Sequence, residues 1–172
     1  MKDAGRVGAR TPPPMPSGLD ELAGSVLLPR ELVEQLRSLV TASEVPFSDL
    51  VDLTLERLGG VIPPWPLLDA WNRWCFERRL DFFVWHPGAQ APSDRQRLEV
   101  LVHTLVALAV KERSAATYAR SRVSDAEVVM AGDDCPICSE HRHHVVSATG
   151  TAADALPPFH PGCRCRLVPH LV

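Results

Sequence analysis

Two stretches near the C-terminus decide the fold: Asp-Asp-Cys-Pro-Ile-Cys at 133–138 and Leu-Pro-Pro-Phe-His-Pro-Gly-Cys-Arg-Cys at 156–165. Four of the five cysteines of the chain fall in these two runs, and the second run also carries a histidine. Thiolates and an imidazole delivered from two tight turns form the ligand set that tetrahedral Zn²⁺ selects. The sequence therefore predicts one structural zinc ion between the two runs, attached to a scaffold that is mainly helical.

The candidate ligands outnumber the four positions of a tetrahedral site. The leading set is Cys135, Cys138, His160 and Cys163, because the two pairs have the same i, i+3 spacing. Cys165 competes for the place of His160 or Cys163, since residues two apart lie on one side of an extended strand. Four protein ligands leave no position for a reacting water, so the site is predicted to be structural and the protein not to be an enzyme.

Other interpretations of these residues stay open. The run His141-Arg142-His143-His144 follows the first cysteine pair, and His141 stands three residues after Cys138, a ligand-like spacing. Two disulfides or free thiols are the alternative to a metal, although the lack of an export signal makes a reducing compartment the expectation. A Cys-x-x-Cys also occurs in thioredoxin-like redox proteins, but the βαβ context that they need is not visible here.

The composition is that of one ordinary folded core with a small appended module. The chain has 172 residues, of which 45% are hydrophobic, and a formal net charge of −3. This charge gives no general attraction to nucleic acid or to membranes. No run of 18 apolar residues is present, so we expect no membrane partner and a cytoplasmic location.

The N-terminal half divides into an arm and a hairpin. Residues 1–24 are predicted to form a flexible arm, and residues 25–60 a helical hairpin that begins with a short strand at 25–28. A strand, then Leu-Pro-Arg-Glu-Leu, then two helices resembles the ribbon-helix-helix family of dimeric DNA-binding proteins. That resemblance implies a DNA-reading strand, but the outward positions would be Ala23, Ser25 and Leu27, and none of them is basic.

The second half is predicted to be a helical core at 61–124 and a zinc-binding module at 125–172. Val61-Ile62-Pro63-Pro64-Trp65-Pro66 indicates a stiff linker, followed by a helix over about 67–85. Ser93 and Asp94 cap the longest helix, which runs to about Val123. In the module, apolar pairs predict three short strands around the two cysteine runs.

The longest helix carries the most informative pattern of the scaffold. Its first half, 98–110, is almost entirely apolar and is interrupted only by Glu99, His103 and Thr104, which predicts a central core helix. We expect His103 to be a core histidine and not a ligand. The second half, 111–122, is basic and offers contact with phosphate or an acidic partner, or is a solvated face.

The residues from Val128 to Pro169 resemble the C-terminal motif of the phage Mu F-like minor head proteins, the phage head morphogenesis family. That motif runs as Asp-Cys-Pro-x-Cys, a variable loop, then Pro-Pro-x-His-Pro-x-Cys-Arg-Cys and a short apolar tail. Here it stands as residues 134–138 and 157–165, closed by Leu167-Val168-Pro169. The resemblance covers about the last quarter of the chain.

The resemblance implies a few-copy structural protein of the phage head, in the host cytoplasm or the virion. It would dock on portal, capsid or DNA through the zinc-stapled module. A prophage remnant or a host protein that borrowed the motif would show the same residues. The alternatives are a cytoplasmic zinc-containing DNA-binding regulator with a ribbon-helix-helix-like N-terminal region, and a zinc-stapled nuclease or toxin that uses the histidine run.

Overall fold

The structure is a computed structural model that describes residues 15, 18–42, 46–61, 64–77, 93–130, 136–148 and 156–170. The predicted class, mainly helical with a small β module, is confirmed for these ranges. None of the described helices is long and apolar enough to cross a membrane. The elements in chain order are α1 (Leu19–Ser25), α2 (Arg30–Ala42), α3 (Phe47–Val61), α4 (Pro64–Glu77), α5 (Asp94–Ser121), β1 (Asp125–Val129), α6 (Pro136–Ser139), β2 (Val145–Ser147) and β3 (Arg166–Pro169).

The helical body is built around α5, as the sequence predicts. The helix begins at a capping box, in which Gln96 N donates to Ser93 Oγ at 3.3 Å and Ser93 N donates to Gln96 Oε1 at 2.8 Å. Helices α1 to α4 all contact α5, and its apolar half supplies the centre of the core. Leu101, Leu105 and Leu108 are fully buried there.

The carboxylate of Glu112 on α5 forms hydrogen bonds with the first two helices. Leu19 N donates to Glu112 Oε1 at 3.0 Å, so Glu112 caps the N-terminus of α1 from another part of the chain. Arg37 of α2 donates to Glu112 Oε2 at 3.1 Å and to Asp20 at 2.8 Å. The Arg37 hydrogen bond lowers the pKa of Asp20. One carboxylate on α5 thus binds the N-terminus of α1 and a side chain in the middle of α2.

Two predictions for the N-terminal region are wrong. Residues 19–24 of the predicted flexible arm are helical, with Leu19 and Leu22 buried. The predicted strand at 25–28 is the end of α1 and a turn. Leu28 N donates to Ala23 O and Leu27 N to Gly24 O, the pattern that ends a helix with one left-handed residue, here Leu27 at φ 58°.

Two predicted breaks lie inside helices. The pair Gly59-Gly60, at the end of the predicted hairpin, is a pattern typical of a helix end, but α3 continues through both glycines to Val61. Pro64 and the two residues after it form the first turn of α4 and not a linker, since proline is tolerated there. The predicted helix over 67–85 is confirmed to Glu77, and its remainder lies outside the described residues.

The C-terminal module is a three-stranded antiparallel sheet in the order β2-β1-β3, and the three predicted strands are confirmed within one or two residues. Glu127 pairs with Val145 on one side and with Val168 on the other. A left-handed residue, Arg122 at φ 56°, ends α5 and turns the chain into β1. Tyr118 Oη donates to Leu167 O at 2.9 Å, which fastens β3 to the last turns of α5.

Candidate metal centre

Two turns deliver the candidate ligands. The four-residue helix α6 carries Cys138, and the turn at 160–163 carries His160 and Cys163. In that turn Cys163 N donates to His160 O at 3.1 Å, and Gly162 takes φ 73°, which a glycine adopts without steric cost. The chain then extends through Cys165 into β3. The three-residue spacing of His160 and Cys163 is thus realised as a turn, and the sulfur of Cys163 lies 3.6 Å from that of Cys138 on α6.

The three described cysteines of the module lie within bonding reach of a single ion. The sulfur atoms of Cys138, Cys163 and Cys165 all lie within 4.8 Å of one another, and Cys138 and Cys163 are 3.6 Å apart. The edge of a zinc–thiolate tetrahedron is about 3.8 Å, given a Zn–S bond of about 2.3 Å. Cys138 and Cys163 are 3% and 1% exposed. The separation and the burial suit a metal ion, and these thiols are not joined in disulfides.

His160 supplies a nitrogen at the same place. Its Nε2 lies 3.1 Å from Cys138 Sγ, and its Nδ1 lies 2.8 Å from Pro161 O. A carbonyl oxygen can only accept, so Nδ1 must carry the proton of the neutral ring. The lone pair is then on Nε2, which is the atom beside the sulfurs. Metal-binding histidines are commonly oriented by such a second hydrogen bond.

The thiols influence one another strongly because they are crowded and buried. Hydrogen bonds from Cys138 and Cys165 lower the pKa of Cys163. Hydrogen bonds with Cys163 and Cys165, and burial, raise the pKa of Cys138. A second and third thiolate at these distances require a cation between them. The donor set therefore fits a divalent metal.

The turn that carries two of the candidate ligands is hydrogen-bonded to the helical body. Gly162 N donates to Thr104 Oγ1 at 3.0 Å, and Thr104 Oγ1 donates in turn to Val100 O at 2.7 Å. Thr104 is fully buried in the apolar half of α5. The threonine is thus the acceptor that holds the turn of His160 and Cys163 against α5.

Three of the five predicted ligands, Cys138, Cys163 and Cys165, are brought together, and the Nε2 of a fourth, His160, lies beside Cys138 Sγ. Cys165 therefore joins Cys163 in the group instead of replacing it. Cys135 lies outside the described residues. Cys75 is buried in the core of the body, as expected for a small apolar side chain.

The histidine run does not join the cysteines. His141 stacks on Phe159 with ring centroids 3.9 Å apart, and His144 meets the edge of His141. His143 Nδ1 lies 2.5 Å from a carboxylate oxygen of Glu127, and His143 is largely exposed. Among the described residues the cysteine cluster is the one group with metal-binding geometry. The three histidines support the loop and the sheet.

Sequence reasoning missed the part that Thr104 plays. The signal was present, because Thr104 is one of three polar residues in the apolar run 98–110. A buried hydroxyl in such a run donates its hydrogen bond to the carbonyl four residues earlier. The sequence therefore gives no sign of a second hydrogen-bond partner. Only the packing of the distant turn reveals that Gly162 needs this acceptor.

Compared with protein-family models, with curated proteins and with solved structures, the chain matches none of them. The site must therefore be interpreted from its own geometry and from the sequence motif.

Proposed function

We propose that the cysteine cluster binds one structural Zn²⁺ ion that staples the C-terminal module. The observation that carries this is the convergence of three sulfurs within 4.8 Å of one another, with the Nε2 of His160 at 3.1 Å from the sulfur of Cys138. Soft thiolates with one imidazole select zinc over harder cations such as Mg²⁺ or Ca²⁺. Four protein donors close the coordination sphere, so the ion holds the fold and does not activate water. Cys135, which lies outside the described residues, stays a fifth candidate ligand on the basis of its sequence spacing alone.

Metal analysis of purified protein tests the staple. We expect about one zinc per chain from protein purified under reducing conditions, and a loss of most of it in Cys163→Ser. Cys75→Ser is the matched control, because Cys75 is also buried but lies in the body, and it should keep its zinc. Zinc-free wild-type protein with an intact sheet would refute the proposal.

We further propose that the protein is a non-enzymatic head-morphogenesis protein of a phage or prophage, whose stapled module docks on portal or capsid protein or on DNA. The support is the order and spacing of the motif at 134–138 and 157–165, together with a centre that suits a structural metal. A fixed module on a rigid helical body is suited to bind a partner surface.

The genes beside the coding sequence offer the first test of this role. Genes for portal, terminase or major capsid protein would support it, and purified portal or capsid protein should then retain the zinc-loaded protein. Cys163→Ser should lose that retention while Cys75→Ser keeps it. Neighbours without any relation to phage assembly, together with no retention, would exclude the role.

The alternative role as a DNA-binding regulator has lost its main support. The ribbon-helix-helix resemblance requires a strand at 25–28, where the structure has a helix end and a turn. Strand residues are what such proteins use to read DNA, so the two helices α2 and α3 alone give no reason to expect sequence-specific binding.

A further inference from the structure

A cleft of about 790 Å³ separates the helical body from the C-terminal module. One wall is α5, from His103 to Tyr118, and the other is the chain from Arg164 into β3. The first turn of α3 closes one side with Phe47 and Ser48. The volume lies within the range of small-molecule sites, roughly 300–1,000 Å³. The metal centre borders this space through Cys165, while the rest of the lining belongs to other residues.

The charged side chains that line the cleft are cationic, while Asp52 and Glu99 act on His103 from outside the lining. Four of its lining residues are cationic, two on each wall: Lys111 and Arg113 from α5, and Arg164 and Arg166 from the module. No aspartate or glutamate occurs among the described lining residues. Arg113 also donates to Val40 O at 2.8 Å, a neutral acceptor that positions the side chain.

This local charge opposes the charge of the module as a whole. Residues 124–172 contain six acidic residues and three arginines, a formal −3. Two of those three arginines, Arg164 and Arg166, line the cleft, while Glu127 lies at the His143 side of the sheet. Cations gathered from both walls of one concave space favour an anion inside it.

Most of the remaining lining residues are apolar or aromatic, and the others are Ser48, His103, Ser114 and Cys165. Leu50, Ala107 and Val110 line the cleft together with the ring of Phe47, which packs at 5.2 Å from the ring of His103. Guanidinium groups bind phosphate in a planar, two-pronged geometry, and aromatic rings stack on bases. A ligand that matches both parts carries a phosphate and a planar apolar ring.

We propose that this cleft binds a nucleotide unit. The phosphate of the nucleotide lies between Lys111 on one wall and Arg166 on the other, and the base packs against Phe47. The unit comes either from a free nucleotide or from a single-stranded nucleic acid, and both share the same chemistry. An acidic peptide would use the cations but leave the aromatic side without a partner. The proposal goes beyond a role in head assembly and stands whether or not that role is correct.

Fluorescence anisotropy of the zinc-loaded full chain tests the proposal with a 5′-fluorescein-labelled dT12 strand. The cleft variant combines Lys111→Ala with Arg166→Ala, one cation from each wall and neither of them a candidate metal ligand. We expect it to weaken binding about 100-fold, on the order of tenfold for each phosphate-contacting cation. Phe47→Ala should weaken binding by a further several-fold through lost stacking.

The matched control combines Arg120→Ala with Arg142→Ala. It also removes one positive charge from α5 and one from the module, but neither residue lines the cleft. It should bind within about threefold of the wild type, since distant charges are screened. Zinc content and the thermal melt of all variants must match those of the wild type.

Competition identifies the source of the nucleotide. Displacement of the strand by thymidine monophosphate supports a free-nucleotide site, and resistance to it with tight strand binding supports single-stranded nucleic acid. Equal loss in the cleft and control variants, or no binding of either probe at millimolar concentration, would overturn the proposal. So would displacement by inorganic phosphate alone at the same concentration, or preferential binding of an oligoglutamate peptide.

Discussion

The helical body and the C-terminal module are held together by different means. Among the residues that the structure describes, the body buries 23 apolar residues in one cluster, centred on α5. The corresponding cluster of the module contains three: Tyr118, Ala126 and Ala148, the first of which belongs to α5. The body can be stabilised by removal of apolar surface from water, whereas the module has too little of it.

The difference suggests a structural role for the proposed metal ion. A small sheet that cannot bury a core of its own needs a staple or a support, and this one has both. The proposed zinc ion joins its two turns, and α5 supports it through Thr104 and Tyr118. Metal removal should therefore affect one region and core mutations the other, which can be tested from both directions.

Removal of the metal by a chelator should have the largest effect on stability of all these changes. The effect should be confined to the module. Zinc binding in small modules is worth roughly 10–16 kcal/mol in apparent free energy, and most of that is folding energy. We expect the amides of β2 and β3 to lose hydrogen-exchange protection while those of Leu101–Leu108 in α5 keep theirs. Added Zn²⁺ should restore protection and Mg²⁺ should not. Simultaneous loss in both regions would show that they unfold as one unit.

Leu105→Ala should destabilise the helical body and leave the metal site intact. The side chain is fully buried in α5, so its truncation should lower the free energy of unfolding of the body by about 3 kcal/mol. Urea denaturation followed by tryptophan fluorescence measures this. The bound zinc should stay at the wild-type level in the absence of urea. Leu53→Ala, at a position that is 36% exposed, is the control and should cost less than about 1 kcal/mol.

Thr104→Val tests the contact that joins the two regions. The shape is kept, but Gly162 N–H loses its acceptor, and a buried unsatisfied donor costs about 1–3 kcal/mol. We expect faster zinc release to a chelator and a lower melting temperature. Thr54→Val is the matched control, because Thr54 is also buried and donates to the carbonyl of Leu50 at 2.6 Å. If both variants behave alike, the contact with Gly162 is not what matters.

Protonation of His103 should have the smallest effect on the free energy of unfolding, and this effect depends on pH. Burial, and then the charge of Arg164, lower its pKa from the ordinary value of 6.5, against the opposing charges of Glu99 and Asp52. The unfolded chain therefore takes up this proton first, and stability present above pH 6.5 is lost as the pH falls through the folded pKa.

The size of this loss should stay below about 1 kcal/mol, because the cleft admits solvent that screens the ring. Urea denaturation at pH 7.5 and at pH 5.5 measures it in the wild type and in His103→Gln, whose difference between the two pH values should be smaller. An equal difference in both proteins would assign the pH dependence to other groups.

The sequence predicted what depends on local pattern. The capping signal at Ser93, the apolar run of α5 and the apolar pairs of the strands are read from neighbouring residues, and all are confirmed. The grouping of Cys138 with Cys163 was also predicted, because the three-residue spacing of candidate ligands within each run is a local property, whereas Cys165 was expected only as a replacement for His160 or Cys163.

The prediction of a strand at 25–28 was wrong because buried and exposed residues alternate there for a reason other than strand structure. Val26 and Leu28 are buried while Leu27 is 76% exposed, which is the pattern of a half-buried strand. Here it results from a left-handed residue that ends α1 and lets both neighbours reach the core. The hydrogen bond from Leu19 to Glu112 connects residues far apart in sequence, and so does the cleft lined by Lys111 and Arg166. Local sequence patterns therefore do not predict either of them.

The position of α5 in the chain has a consequence for synthesis on the ribosome. Helices α1 to α4 all pack on a helix that is translated after them, and the bonds to Glu112 and Arg113 reach back 93 and 73 residues. Their apolar faces must therefore stay uncovered until Asp94–Ser121 has emerged, an interval in which a nascent chain is prone to aggregate. Body folding should begin only as α5 leaves the exit tunnel, and a nascent-chain holding chaperone would find its substrate in that interval.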